Sequence, residues 1–252
     1  MNLRIIVLTP LVLLSSPIAA QSGDRSTQDR VALMILDRMC TTIGELTSCR
    51  FTLEAEQEVW DPELGIISHL TEDEVCMVGP DRMLVRSKGD QNDVGYWYNG
   101  AQVFYYSFTE NNYASMKAPD TIIKTMDEMS RRYDIDFPAA DLFYPTLVDD
   151  VTQNCDVVRY MGTSRVRGTD CFHIAGKGKK LSFELWIAND ATTFPMKFIL
   201  TTTEDVHSLR YDCTFTSWTG NPDLPKAIFE FMIPPGAKAI RIMSSAEKPL
   251  SR

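Results

Sequence analysis

The stretch that most constrains the fold runs from Val94 to Pro119 and reads VGYWYNGAQVFYYSFTENNYASMKAP. Three short runs rich in aromatic and β-branched residues are separated there by turn signals. Asn99-Gly100 is the dipeptide most typical of a two-residue β-hairpin. The segment Glu110-Asn111-Asn112 marks a second turn. The pattern predicts a three-stranded antiparallel meander.

An aromatic-rich sheet needs a cover, because a large exposed apolar patch is unfavourable in water. The segment 137–145, FPAADLFYP, predicts a short apolar helical turn between two prolines. It is either a plug of the core or a lid over a cavity, with Leu142 and Phe143 facing the sheet. Trp97 and Tyr105 are the candidate wall residues, although strand alternation alone does not tell which face of the sheet is concave.

The rest of the sequence predicts one helix before and one helix after the first group of strands, and strands through most of the second half. Ser26 to Leu46 has helical spacing of apolar residues, and a second helix follows Asp120. Phe51–Trp60 and Ile66–Val75 alternate as the two strands of a hairpin. From residue 157 to residue 233 one strand pattern follows another.

The N-terminus has the pattern of a secretory signal peptide, residues 1–20. Arg4 precedes an apolar run from Ile5 to Leu14, and small residues lead to Ala20. The run is too short for a membrane span, which needs about 20 apolar residues. We expect export to the periplasm and one domain over residues 21–252.

The formal net charge of −9 argues against nucleic acid and anionic lipid headgroups as partners. Two acidic clusters, Glu72-Asp73-Glu74 and Asp149-Asp150, lack the regular ligand spacing of a calcium loop, which favours a solvated face. The three histidines are scattered. We therefore predict no metal site and no cofactor.

Six cysteines in an exported chain suggest disulfides, although buried free thiols are the alternative. In the predicted hairpin, Cys49 and Cys76 lie nearly opposite each other. Cys49–Cys76 is therefore the candidate disulfide.

Several motifs occur along the chain: MVGPDRM at 77–83, YWYNG at 96–100, YASMKAP at 113–119, DLF at 141–143, RGTDCFH at 167–173 and LWI at 185–187. In this order they resemble the DUF2092 family of predicted periplasmic proteins and, more distantly, the LolA/LolB superfamily of outer-membrane lipoprotein carriers. Gly79 stands where the carriers have the arginine that locks their lid, so the resemblance does not extend to lid control.

The resemblance implies an α+β fold, in which a strongly curved antiparallel sheet forms an incomplete, LolA-like β-barrel with helices packed in its concave mouth. In the carriers, the sheet and helices enclose an apolar cavity for acyl chains. An exported, non-enzymatic binding protein for a lipid or other hydrophobic ligand is thus the first functional hypothesis, with a role in envelope lipid or lipoprotein handling.

Two other functions remain open. The protein is either an envelope protein-interaction or sensor module without a free lipid ligand, or an enzyme, such as a hydrolase, whose site is assembled only in the fold. No catalytic residue is predicted, because the chain contains neither a GxSxG nor an HExxH motif. We expect a monomer that is not integral to the membrane. Its partner is a hydrophobic small molecule or acyl chain, or an envelope protein.

Overall fold

The computed structural model describes residues 28–202 and 207–245, so the predicted signal peptide, residues 1–20, lies outside the described part. Twelve strands form one sheet, and three α-helices accompany it. Within the described ranges, no helix is long and apolar enough to cross a membrane.

The helices are α1 (Arg30–Gly44), α2 (Ile122–Tyr133) and α3 (Leu147–Asn154). The strands are β1 (Ser48–Asp61), β2 (Gly65–Val78), β3 (Arg82–Gly89), β4 (Asp93–Tyr98), β5 (Gln102–Ser107), β6 (Asn112–Lys117), β7 (Cys155–Val166), β8 (Thr169–Gly178), β9 (Leu181–Ala188), β10 (Pro195–Thr202), β11 (Arg210–Gly220) and β12 (Lys238–Ala239). Two short 3-10 helices span Ala140–Phe143, named here the cover turn, and Lys226–Phe229.

Neighbouring strands are antiparallel, except that β12 runs parallel to β6. The strand order is β12-β6-β5-β4-β3-β2-β1-β11-β10-β9-β8-β7. β1 lies near the middle, and it joins the two halves of the chain by pairing with β2 on one side and β11 on the other. The sheet is curved and open, because β12 and β7 at its ends do not pair with each other. This architecture confirms the predicted fold class.

One face of the sheet and the inner sides of the helices form a common apolar core, and we call this face concave. Helix α1 begins after Asp29, whose carboxylate accepts a hydrogen bond from the Val31 backbone N–H at 2.8 Å. Its buried residues include Leu36 and Met39, which belong to the same core as Phe51 of β1. The helices therefore lie over the concave face, as the resemblance implied.

The C-terminal segment, residues 221–245, passes around the β6 edge of the sheet. Phe229 is fully buried, and Phe231 packs on the face of β4–β6 opposite the helices, which we call convex. The chain then adds β12 beside β6. Finally, the Ser245 hydroxyl donates to the Arg132 carbonyl of α2 at 3.1 Å. The aromatic meander is thus covered on both faces, by α2 and the segment after it on one side and by Phe231 on the other.

The β1–β2 hairpin forms as predicted, but the Cys49–Cys76 disulfide does not. Cys49 lies opposite Met77, and Cys76 lies opposite Arg50. Because successive side chains of a strand point to opposite faces, this one-residue offset places the two thiols on opposite faces of the sheet. All six cysteines are free thiols. Four of them are buried, where a small apolar thiol packs well: Cys49, Cys76, Cys171 and Cys213.

We expect unfolded protein, prepared without reductant, to react with six equivalents of a maleimide. In the folded protein the reaction should be slow, because burial raises the pKa of Cys49 to about 12 and that of the partly buried Cys40 to about 11. Mass spectrometry of the alkylated peptides measures how many cysteines have reacted in the folded and in the unfolded protein. Fewer than six alkylated cysteines in the unfolded sample, with six after reduction, would contradict the structure.

Candidate functional site

Two tyrosines of the meander lie on the concave face. In the register of β4 and β5, Tyr96 is opposite Tyr105, and their ring centroids are 5.5 Å apart. Phe137, which follows α2, packs edge-on against the Tyr96 ring at 5.4 Å. Burial raises the pKa of both tyrosine side chains, so both phenols stay neutral. Tyr105 therefore lies on the helix-covered face, the position that a cavity wall requires.

Trp97 lies on the convex face, so it cannot share a cavity wall with Tyr105. It is opposite Phe104 in the β4–β5 register, and its ring lies 5.0 Å from that of Phe231. The indole also packs over Gly95, where an added Cβ would come within 2.5 Å of the ring. The choice of Trp97 as a wall residue is corrected on this ground: its ring is covered by the C-terminal segment, far from the helices.

The cover turn packs its apolar side chains into the concave face. Leu142 is 7% exposed and belongs to the core. Phe143 is partly buried, and its ring stacks on that of Phe51 with centroids 5.7 Å apart. The Phe143 and Trp218 ring centroids are 6.3 Å apart. Phe51 in turn lies 4.6 Å from Trp218. The two predicted cover residues thus close over an aromatic cluster at the centre of the sheet.

In the described ranges, side-chain packing holds the cover turn to the sheet, without a backbone hydrogen bond between them. Its backbone hydrogen bonds are local, from Ala140 to Phe137, from Leu142 to Ala139 and from Tyr144 to Asp141. The Tyr144 hydroxyl donates to Asp127 of α2 at 2.6 Å. Opening of this turn therefore costs the burial of its apolar side chains and the Tyr144–Asp127 bond. Separating this turn from the sheet breaks no sheet hydrogen bond.

A cavity of about 290 Å³ lies at the ends of strands β8 to β11, and Phe215 and Trp218 of the aromatic cluster are among its lining residues. The other lining residues are Thr169, Ala188, Asp190, Thr192, Phe194, Met196, Thr216 and Ser217, so half of the lining is polar and none of it comes from the helices or the cover turn. A second cavity of about 280 Å³ lies between β6, the end of α2 and the C-terminal segment, and Lys117, Arg132 and Arg241 make its lining more polar. The volume of the first cavity is near the lower limit for small-molecule sites, about 300 Å³.

Sequence reasoning missed one residue of the concave face, Asp73. It was assigned to a solvated acidic cluster, yet its side chain is 2% exposed. Strand alternation was the available signal, because residues 73, 75 and 77 share one face of β2 and Val75 and Met77 are apolar. Among the described residues, no group of three His, Cys, Asp or Glu side chains could hold a metal ion.

The fold is similar to several solved structures at low sequence identity. An uncharacterized conserved protein from Thermus thermophilus has 14% identity and a TM-score of 0.49, covering 84% of this chain and 99% of that protein. The Mycobacterium tuberculosis lipoprotein LppX has 16% identity and a TM-score of 0.45, and the match covers 78% of this chain and 98% of LppX. A chain of the Pseudomonas aeruginosa MucA/MucB complex has 15% identity and a TM-score of 0.40, and the match covers 80% of this chain and 61% of that chain.

No protein of curated function matches the sequence. The family model of predicted periplasmic proteins, DUF2092, matches residues 32–243, which is most of the described chain. The match includes the meander, the cover turn and the strands of both sheet halves. The protein is therefore periplasmic and belongs to the DUF2092 family.

Proposed function

We propose that the protein is a non-enzymatic periplasmic binding protein that holds a hydrophobic ligand, a lipid or an acyl chain, between the concave sheet and the cover turn. Its role would be in envelope lipid or lipoprotein handling. The observation that carries the proposal is the stack of Phe143 on Phe51, because this contact closes the aromatic cluster without any backbone bond to the sheet. An apolar chain can replace the Phe143 ring there.

The energies favour such an exchange. Separating an aromatic pair costs about 0.5–1.5 kcal/mol beyond the burial of its area. Each methylene that a ligand buries contributes about 0.8 kcal/mol. Exposing the Phe143 ring also loses about 1.5–3 kcal/mol of burial. About three to six buried methylenes therefore offset the displaced ring, and a longer chain leaves a surplus against its ordering cost.

We expect the uncharged methyl ester of parinaric acid, a fluorescent acyl chain, to bind the wild-type protein. A neutral probe is appropriate because the chain carries a net charge of −9, which disfavours an anion. Phe143→Asp should weaken binding at least tenfold, about 1.4 kcal/mol, since it places a carboxylate at the apolar seat. Fluorescence titration measures the loss, and far-UV circular dichroism should remain nearly unchanged.

Leu64→Asp is the matched control. Leu64 is 76% exposed at the tip of the β1–β2 hairpin, so the same chemical change there should leave probe binding unaltered. Absence of probe binding by the wild type would contradict the proposed function. Unfolding of Phe143→Asp in the same experiment would show that the cover turn is a core plug.

Recognition of an envelope protein is the second candidate function. Among the described residues, β11 pairs with β1 only up to Gln57 and β3 pairs with β2 only from Thr71, so the turn end of the β1–β2 hairpin continues past the strands paired with it. The Trp60 ring in this part stacks on that of His207, with centroids 3.6 Å apart. This projecting part exposes four large apolar residues, Trp60, Leu64, Ile66 and Leu70. Clusters of exposed apolar residues mark interaction sites. If this function is correct, Leu64→Asp abolishes partner capture while Phe143→Asp does not.

A further inference from the structure

One carboxylate lies among the apolar side chains of the concave face. Asp73 of β2 is 2% exposed, and it shares its face of the strand with the core residue Val75. Across the sheet its register partners are Leu53 on β1 and Ser87 on β3. Leu53 is fully buried in the core. Asp73 therefore adjoins the apolar floor beneath the helices.

The two oxygens of this carboxylate are unequally satisfied. Oδ2 accepts a hydrogen bond from the Thr71 hydroxyl at 3.1 Å. Oδ1 is buried and has no hydrogen-bond partner in the part of the chain that the structure describes. Burial raises the pKa of Asp73 to about 6, and the Ser87 and Thr71 hydroxyls lower it in part. The group is thus mostly ionised above neutral pH, with one oxygen unmatched.

No basic side chain of the described residues on this face compensates the charge. The concave positions of β11, β1, β2 and β3 contain neither lysine nor arginine, and the buried residues of α1 and α2 contain none either. Tyr211 and Cys213 of β11 lie on the same face, and burial first and then nearby charges, including that of Asp73, raise their pKa values. The charge of the adjacent Glu72 also raises the pKa of Asp73. His69, further along the same face of β2, is paired with Asp90 at 3.1 Å.

Tyr211 connects this position with the cover turn. The pKa of its phenol is raised by burial first, and then by the charges of Cys213, Asp73 and Asp141. Asp141 belongs to the cover turn. Leu142 and Phe143 of the turn pack with the core of the concave face, and strand alternation places Asp73 on that face beside Val75. Displacing the turn gives a ligand access to the side of the sheet that carries Asp73.

We propose that Asp73 binds the cationic headgroup, a protonated amine, of the hydrophobic ligand. This inference rests on the proposed function, because it requires an apolar chain beneath the cover turn. The ammonium group donates a hydrogen bond to Oδ1 and neutralises the buried charge, while its alkyl chain lies along the apolar floor. A fatty acid would instead bring a second negative charge next to Asp73.

The experiment compares two ligands of equal chain length, dodecylamine and 1-dodecanol, below their aggregation concentrations. Each displaces the neutral parinaric ester from the wild-type protein at about pH 7.5, where the amine is protonated. We expect the amine to bind at least about tenfold more tightly than the alcohol, the typical effect of a charge-assisted hydrogen bond. In Asp73→Asn this preference should disappear, while the affinity for dodecanol stays within about twofold.

Glu72→Gln is the matched control. Glu72 is the adjacent residue of β2 and points to the opposite face, so this variant removes one negative charge without touching the concave floor. It should keep the amine preference. Equal affinity of amine and alcohol for the wild type would overturn the headgroup assignment and leave the proposed function intact. A preference that persists in Asp73→Asn would also overturn it. Failure of the ester and both ligands to bind would overturn the proposed function as well.

Discussion

Phe51→Ala should lower the free energy of unfolding by about 3–5 kcal/mol, the usual cost of truncating a buried phenylalanine. Phe51 is fully buried, and its ring contacts Phe143, Phe215 and Trp218 at centroid distances of 5.7, 5.5 and 4.6 Å. The change removes the common partner of three rings and leaves a void in the middle of the sheet. Urea unfolding, with the m-value checked, measures the loss.

Phe108→Ala is the control for this prediction. Phe108 is 37% exposed, and the Arg86 guanidinium lies 3.4 Å from its ring centroid. Its loss should cost about 1 kcal/mol, because a cation–π contact at an exposed site is worth about 0.5–1 kcal/mol. If Phe51→Ala lowers the free energy of unfolding by less than Phe108→Ala does, the floor beneath the cover turn is not closely packed.

The sequence predicts the strands of the meander well, because turn chemistry is local. Asn99-Gly100 does lie between β4 and β5, and Gly100 has φ +95°, a conformation that suits glycine. The connection is longer than the predicted two-residue turn, because β5 begins only at Gln102 and the last register pair is Tyr98 with Val103. The faces of the same strands could not be predicted. The run Tyr96-Trp97-Tyr98 has no polar residue to mark an outer side, since Phe231, more than a hundred residues later, covers Trp97.

The cysteine pair was the second limit of the sequence reasoning. The predicted hairpin, Phe51–Trp60 with Ile66–Val75, has the observed register, because Phe51 lies opposite Val75 and Trp60 opposite Ile66. In this register the partner of Cys49 is Met77, one position from Cys76. Successive side chains of a strand point to opposite faces, so thiols that are nearly opposite each other along the sequence lie on different faces of the sheet.

Alternation could have identified Asp73, because its neighbours in β2 were already assigned to a strand. Three successive acidic residues are more often a solvated cluster than a strand with one inward carboxylate. The structure separates them: Glu74 pairs with Arg50 on the surface, while Asp73 is buried. Burial of an unpaired carboxylate has a consequence for stability that depends on pH.

Asp73→Asn should stabilise the ligand-free protein at neutral pH. The folded-state pKa of about 6 is higher than the ordinary value of 3.8, so the folded state binds the Asp73 proton more tightly than the unfolded state does. The stability of the wild type therefore falls as pH rises from about 4 to about 6, by up to about 3 kcal/mol at 1.36 kcal/mol per pKa unit. The variant has no such group, and it should gain this amount above pH 6.

The pH window distinguishes Asp73 from other carboxyl groups. The pKa values of Asp29, Asp120 and Asp190 are lowered by hydrogen bonds, so these groups remove stability only as pH falls below about 4. The pKa of Asp136 is raised by burial, and its contribution is common to both proteins. Thermal or urea unfolding at several pH values should show the difference between variant and wild type growing from near zero at about pH 4 to its maximum near pH 7. A difference that is constant with pH, or a variant less stable than the wild type at pH 7, would mean that the Asp73 carboxylate is compensated within the fold and needs no ligand.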